Sequence, residues 1–217
     1  MMNIFTKTYS SPDFDRGEIL RYAGAREATP EIDALLEECL KEAVSIFTYK
    51  VCYGVFPLEI CGNEIDLSFT KTVSKDLSRT LKSSDKFILF AATVGFELDR
   101  LINRYSKISP SKALMFQAIG TERIESLCDA FCLDMEKEFG NLTSRFSSGY
   151  GDLSLDIQKD FFAVLDPNRK IGLTLNESLV MTPSKSVTAI VGISNCSEKH
   201  EGHNCEKCNK ENCLFRR

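Results

Sequence analysis

Arg145-Phe146-Ser147-Ser148-Gly149-Tyr150-Gly151 and Leu175-Asn176-Glu177-Ser178-Leu179-Val180-Met181-Thr182-Pro183-Ser184-Lys185-Ser186-Val187-Thr188-Ala189-Ile190-Val191-Gly192 frame the most informative part of this chain. Arginine is suited to gripping a planar carboxylate through two parallel hydrogen bonds. Gly149 permits backbone angles that set N–H and C=O groups directly against a ligand. Tyr150 offers a ring face and a hydroxyl, and Ser147 and Ser148 add short-range donors. Such a group can seat an amino-acid-like ligand. A surface arginine followed by a Ser-Ser-Gly turn satisfies the same spacing, so spacing alone leaves both readings open.

Working outward, the flanking segments alternate between helical and extended patterns. Ser186 to Ile193 and Ile171 to Leu175 are strand-like, and Leu153 to Leu165 reads as a helix that ends at Asp166-Pro167-Asn168. Upstream, Ser109-Pro110 starts the longest helix, stopped by Gly140-Asn141. Leu114, Ile119, Ile124, Leu127, Cys128, Phe131 and Met135 supply its apolar face. Gly95 leads into another helix, and Lys86 to Thr93 is an apolar run suited to a buried strand. Ser74 to Lys82 reads as a short helix. Glu59 to Phe69 suits a hairpin turning at Gly62-Asn63, and Val51 to Leu58, ending at Pro57, suits an edge strand. Thr29-Pro30-Glu31 is a helix start, and Ile32, Leu35, Leu36, Cys39, Leu40, Ala43, Val44 and Phe47 continue it as one stripe. Residues 1–28 read as an irregular arm, 29–194 as one domain, and 195–217 as a cysteine-rich tail. Hairpins mixed with helices predict an α+β fold, with a mixed, largely antiparallel sheet and flanking helices.

The composition narrows the function classes. With 217 residues, 43% of them hydrophobic and 15 of them Phe, the chain can bury a real core. A formal net charge of −4 argues against a general nucleic-acid binder. No apolar run is long enough to span a bilayer, and the first residues carry no apolar signal core. The compartment expected is therefore the cytoplasm, with no membrane partner.

The nine cysteines fall into two groups. Cys39, Cys52, Cys61, Cys128 and Cys132 are scattered among apolar residues and are expected to pack as small hydrophobes. Cys196, Cys205, Cys208 and Cys213 crowd into the tail with His200 and His203. Four thiolates there would close a tetrahedral zinc site or hold an iron–sulfur cluster, and His203 could replace one of them. A tail of reduced thiols is the other reading, because only one Cys-x-x-Cys pair is present.

The two framing runs resemble the S-adenosylmethionine-binding activation domain of cobalamin-dependent methionine synthase. That family carries an Arg-x-x-x-Gly-Tyr motif, here Arg145 to Tyr150. It follows this with a Thr/Asn-Glu-Ser…Met-x-Pro…Ser-Val segment, here Asn176, Glu177, Ser178, Met181, Pro183, Ser186 and Val187. Ala91 to Gly95 and Ala118-Ile119-Gly120 are similar to stand-alone relatives of the domain. The likeness covers Lys86 to Ile193. Ser148 stands where the family often has Pro, and the tail has no counterpart in the methionine synthase domain. The acidic residue that the family directs at the ligand's amino group has no counterpart that the sequence identifies.

The resemblance implies a function. The family's domain rescues oxidised cobalamin by supplying a methyl group from S-adenosylmethionine while an electron arrives from a donor such as flavodoxin. Arg145, Ser147, Ser148, Gly149, Tyr150, Gly151 and Glu177 would line the S-adenosylmethionine groove. Glu177 would face either the ligand or the corrinoid partner, or would simply begin a short helical turn. No protein acid, base or nucleophile is required, because the methyl donor is already a sulfonium. This suits a chain with no histidine before His200. The chain lacks an Asp-x-His-x-x-Gly element, so cobalamin would be supplied by a corrinoid-binding partner, methionine synthase or a related protein. The alternative is a cysteine-rich metal-binding adaptor with no methyl-transfer role.

Overall fold

In the computed structural model, which describes residues 3–25 and 27–194, the segment ahead of Thr29 is structured rather than irregular. It forms β1 (Phe5–Tyr9) and α1 (Arg16–Tyr22). β1 pairs antiparallel along a nine-residue strand, β2 (Tyr49–Pro57), with Phe5 opposite Tyr53 and Tyr9 opposite Tyr49. Its stabilising partners are remote in sequence. The Phe5 and Tyr53 rings lie 5.5 Å apart. Lys7 Nζ donates to Asp134 at 2.6 Å and Tyr9 Oη donates to the same carboxylate at 3.2 Å.

The Lys7 hydrogen bond holds the Asp134 carboxyl below its ordinary range. A depressed carboxylate stabilises the fold above its unfolded pKa and loses that contribution as pH falls through the folded value. Both side chains are about one-third exposed (32% and 35%). Asp134→Asn is therefore expected to cost less than about 1 kcal/mol at neutral pH. The difference from the parent should vanish in acid below the carboxylate range, a pattern that urea midpoints at the two pH values check.

α2 (Pro30–Ala43) begins as its sequence dictates: Thr29 Oγ1 accepts from Ile32 N at 3.4 Å, and Pro30 occupies the first turn. Leu36, Cys39 and Ala43 are buried. Thr29→Ala is expected to cost about 0.5–1 kcal/mol in urea unfolding, since the cap is exposed and its hydrogen bond long.

Beyond β2 come β3 (Glu59–Cys61), β4 (Glu64–Asp66) and β5 (Lys71–Val73), an antiparallel trio whose first turn is Gly62-Asn63. α3 (Lys75–Leu81), β6 (Ser84–Thr93), α4 (Glu97–Ile108) and α5 (Pro110–Phe139) follow. A 3-10 turn at Leu155–Ile157 feeds α6 (Gln158–Leu165), and Asp166 in a left-handed conformation turns the chain into α7 (Pro167–Ile171). A two-stranded hairpin of β7 (Thr174–Leu175) and β8 (Met181–Thr182) leads to β9 (Ser186–Ser194).

The main sheet has the order β1-β2-β6-β9, and every pairing in it is antiparallel. The fold is α+β. β2 is an interior strand, not an edge, because β1 covers its free side. Pro57 ends it, where a missing N–H disturbs the ladder least. The extended pattern expected over Ile171 to Leu175 shrinks to two residues, since Pro167 at the first helical position and Gly172 just past the end make Ile171 the close of a helix.

Alternation along β6 sends Phe87, Leu89 and Ala91 to one face and Ile88, Phe90 and Ala92 to the other. The second face is covered by α5 through Ile124, Leu127, Cys128, Phe131 and Met135. The first is covered by α3 and α6, with Leu77, Leu81, Phe161 and Leu165. A third cluster joins α1, α2 and α4 to the N-terminal half of α5. Leu114 lies off the buried stripe of α5 and is exposed. Of the scattered cysteines, Cys39, Cys52 and Cys128 are buried as expected, whereas Cys61 is exposed. Burial pushes the Cys52 thiol up to about 12. Among the described residues, no helix is long and apolar enough to cross a membrane.

Candidate functional site

After α5 the chain returns along the free side of β9. Leu142 pairs with Ile193 and Phe146 with Ile190, and the Phe146–Ile190 pair exchanges both backbone hydrogen bonds at 2.9 and 2.8 Å. Extended alternation then sets the chemistry. Phe146 turns toward the α6 side of the sheet. Arg145, one residue earlier, turns toward α5. There its Nη2 lies 2.9 Å from Glu125 and its Nη1 lies 3.0 Å from Asp129. These two acids stand one helical turn apart on one face of α5.

Arg145 is 22% exposed, whereas Glu125 and Asp129 are 43% and 68% exposed. The Arg145 Nη1 atom is buried and has no hydrogen bond of acceptable geometry, so its contact with Asp129 is one of charge alone. A buried donor without a well-formed hydrogen bond is costly. The arrangement therefore offers a planar cation between two carboxylates at an accessible edge. That is the complement of a zwitterionic amino-acid head, with carboxylate toward Arg145 and ammonium toward Glu125 or Asp129. Glu125 and Asp129 look in sequence like a solvated helix face, and only the return of residues 142–146 along β9 brings Arg145 against them.

The residues after Arg145 form a tight turn. Ser147 supplies the carbonyl that accepts from Tyr150 N at 3.2 Å. Ser148 Oγ donates to Gln158 Oε1, which also accepts from Thr188 Oγ1 at 2.9 Å, so this limb is tied to both α6 and β9. Gly149 (φ +81°) and Gly151 (φ +54°) both adopt left-handed conformations that favour glycine. Between them Tyr150 projects, 64% exposed. Arg145, Ser147, Ser148, Gly149, Tyr150 and Gly151 thus belong to one continuous limb and turn.

Glu177 stands on a different element. It sits exposed in the β7–β8 turn, which Asn176 closes through Val180 N to Asn176 Oδ1 at 2.9 Å. With Lys159, Phe162 and Asn168 it borders a separate cavity of about 430 Å³. Among the described residues, no hydrogen bond or ion pair joins Glu177 to the Arg145 turn. Cys196, Cys205, Cys208 and Cys213, with His200 and His203, lie outside the described residues. Among those described, no cluster of three or more His, Cys, Asp or Glu side chains could hold a metal ion.

An antiparallel four-stranded sheet held between one long helix and a set of shorter ones, with a glycine turn beyond the segment that pairs with its last strand, defines an α+β fold. Among solved structures, the chain is similar to the crystal structure of the MetH reactivation domain bound to AdoHcy. The match has a TM-score of 0.64 at 15% sequence identity, and it covers 92% of this chain and 81% of that one. At such identity the likeness is one of fold. No protein-family model matches the chain, and no curated protein matches it.

Proposed function

We propose that this chain is an S-adenosylmethionine-binding module that serves the reductive methylation of a cobalamin carried by a partner, methionine synthase or a related corrinoid methyltransferase. The observation that carries this reading is Arg145 held between Glu125 and Asp129 with a buried, unbonded Nη1. In the same limb it precedes an exposed glycine turn, in a fold similar to that of a domain solved with AdoHcy.

When bound, S-adenosylmethionine supplies an activated methyl group. The protein's own residues hold it. Arg145 takes the ligand carboxylate, Glu125 and Asp129 take the ammonium, and the Gly149–Gly151 backbone and the Tyr150 ring border the rest. Ser147 and Ser148 shape the limb that carries the turn. The contribution is positioning, which suits a site with no acid–base pair of its own. The electron would come from a separate donor such as flavodoxin.

Titration calorimetry with S-adenosylmethionine and with AdoHcy tests the ligand. Saturable binding of both is expected, and both should weaken by about 100-fold or more when Arg145 is replaced by Ala. Absence of heat with the parent protein removes the reading. The corrinoid step is tested by mixing the protein with a reduced corrinoid methyltransferase and following the cobalamin absorbance, which should change only when S-adenosylmethionine is present.

A further inference from the structure

Resting on that reading, we propose that Asp152 is a positioning residue that sets Tyr150 at the ligand edge by fastening its turn to the start of α3. The turn closes on itself through Tyr150 N to Ser147 O at 3.2 Å, Gly149 N to Leu153 O at 3.1 Å and Leu153 N to Tyr150 O at 3.0 Å. Two left-handed glycines flank its tip, and glycines there leave the backbone free to reorient. Leu153, buried in the core, seats one end of the turn, and a second hold comes from outside it.

Asp152 makes this second hold through three donors from one remote element: Ser74 Oγ at 2.5 Å, Lys75 N at 2.8 Å and Asp76 N at 3.2 Å. These hydrogen bonds are charge-assisted, and they satisfy backbone N–H groups at the start of α3 that have no partner within the helix. Ser74 is itself 1% exposed and caps the helix through Leu77 N at 3.0 Å. Leu77 and Leu81 bury α3 in the core. A chain of contacts thus runs from the core through α3 and Asp152 to Tyr150. The turn lies flush on α3: a Cβ added at Gly151 would come within 2.5 Å of Asp76 Oδ2. The Ser74 hydroxyl and the backbone donors hold the Asp152 carboxyl below its ordinary range, in keeping with a carboxylate used as an acceptor.

The opposite limb is fastened independently by Ser148 to Gln158, so loss of Asp152 should free the tip without unravelling the segment. The chain contains no Trp, and Tyr150→Trp therefore places a single tryptophan at the tip. In that background, Asp152→Ala is expected to lower the steady-state anisotropy of the tryptophan without any ligand present. Asp152→Asn, whose amide oxygen still accepts, should restore most of it. In the Tyr150 protein, Asp152→Ala should weaken S-adenosylmethionine binding by about tenfold, with Asp152→Asn intermediate. Far-UV circular dichroism checks that both variants fold.

Unchanged anisotropy overturns the anchoring role. Lower anisotropy with unchanged affinity overturns the positioning role, because the turn would then be fastened for stability alone. A parent protein that binds no S-adenosylmethionine overturns the functional reading, and the anisotropy result still decides whether Asp152 anchors the turn.

Discussion

Arg145→Ala is expected to weaken S-adenosylmethionine binding by about 100-fold or more, equivalent to roughly 2.7 kcal/mol. The size follows from what is lost. A guanidinium presents paired donors to a carboxylate in one plane, and charge-assisted pairs of this kind are about twice as strong as neutral hydrogen bonds. Arg145 is already oriented by Glu125 and Asp129, so little of the interaction is spent on ordering the side chain. Arg145→Lys keeps the charge and loses the fork, and an intermediate loss of about tenfold is expected. Neither change should unfold the protein. Glu125 and Asp129 are 43% and 68% exposed, so without their partner they remain solvated. A stability cost of about 1–2 kcal/mol is expected in urea, because the largely buried Arg145 stem also loses its packing. Calorimetric titration of the three proteins beside urea unfolding separates the two effects. Equal affinities in all three would mean that the ligand head group sits elsewhere.

The reach of the sequence differs sharply between elements, for physical reasons. α2 and α5 are legible because their ends carry local chemistry, Thr29-Pro30 and Ser109-Pro110, and their buried residues recur at helical spacing. β6 is legible as an apolar run because both of its faces are covered. β1 is not, because it is only half-buried and its partners Tyr53 and Asp134 are distant in sequence. α7 carried a readable signal, Pro167 at its start and Gly172 past its end, which the extended character of the following residues obscured. At the candidate site, the motif from Arg145 to Tyr150 can be read from the chain, but its acids cannot. Glu125 and Asp129 match any solvated helix face until β9 and residues 142–146 are in place. Asp152 likewise passes for an ordinary loop residue until α3 supplies its three donors.

Arg123→Ala is expected to destabilise the fold by about 3–5 kcal/mol, the largest loss foreseen for a single substitution away from the ligand edge. Arg123 is fully buried and Glu122 is 2% exposed. Neighbours in a helix sequence do not normally face each other, yet here Arg123 Nε reaches Glu122 Oε2 at 2.5 Å and Nη2 contacts Oε1 of the same carboxylate. Two further donors take the carbonyls of Pro12 at 2.6 Å and Asp13 at 2.7 Å, and the guanidinium lies 4.0 Å over the Phe14 ring. Glu122 also accepts from Ser126 Oγ at 2.7 Å and from Asp15 N at 3.3 Å. The pair therefore fixes residues 12–15, which deliver α1 and its buried Ile19 to α5. Removing the arginine leaves a buried carboxylate without its counter-charge and two carbonyls without donors, and those costs add. Against a total stability of roughly 5–15 kcal/mol, such a loss is a large share. It should lower Tm by about 10 °C or more in a chain of this size. Replacing both partners with apolar residues, Glu122→Leu with Arg123→Met, should recover part of the loss, because no isolated charge then remains buried. Calorimetric melting of the single and double variants decides it: a single variant within about 1 kcal/mol of the parent would show that residues 12–15 are held by packing alone.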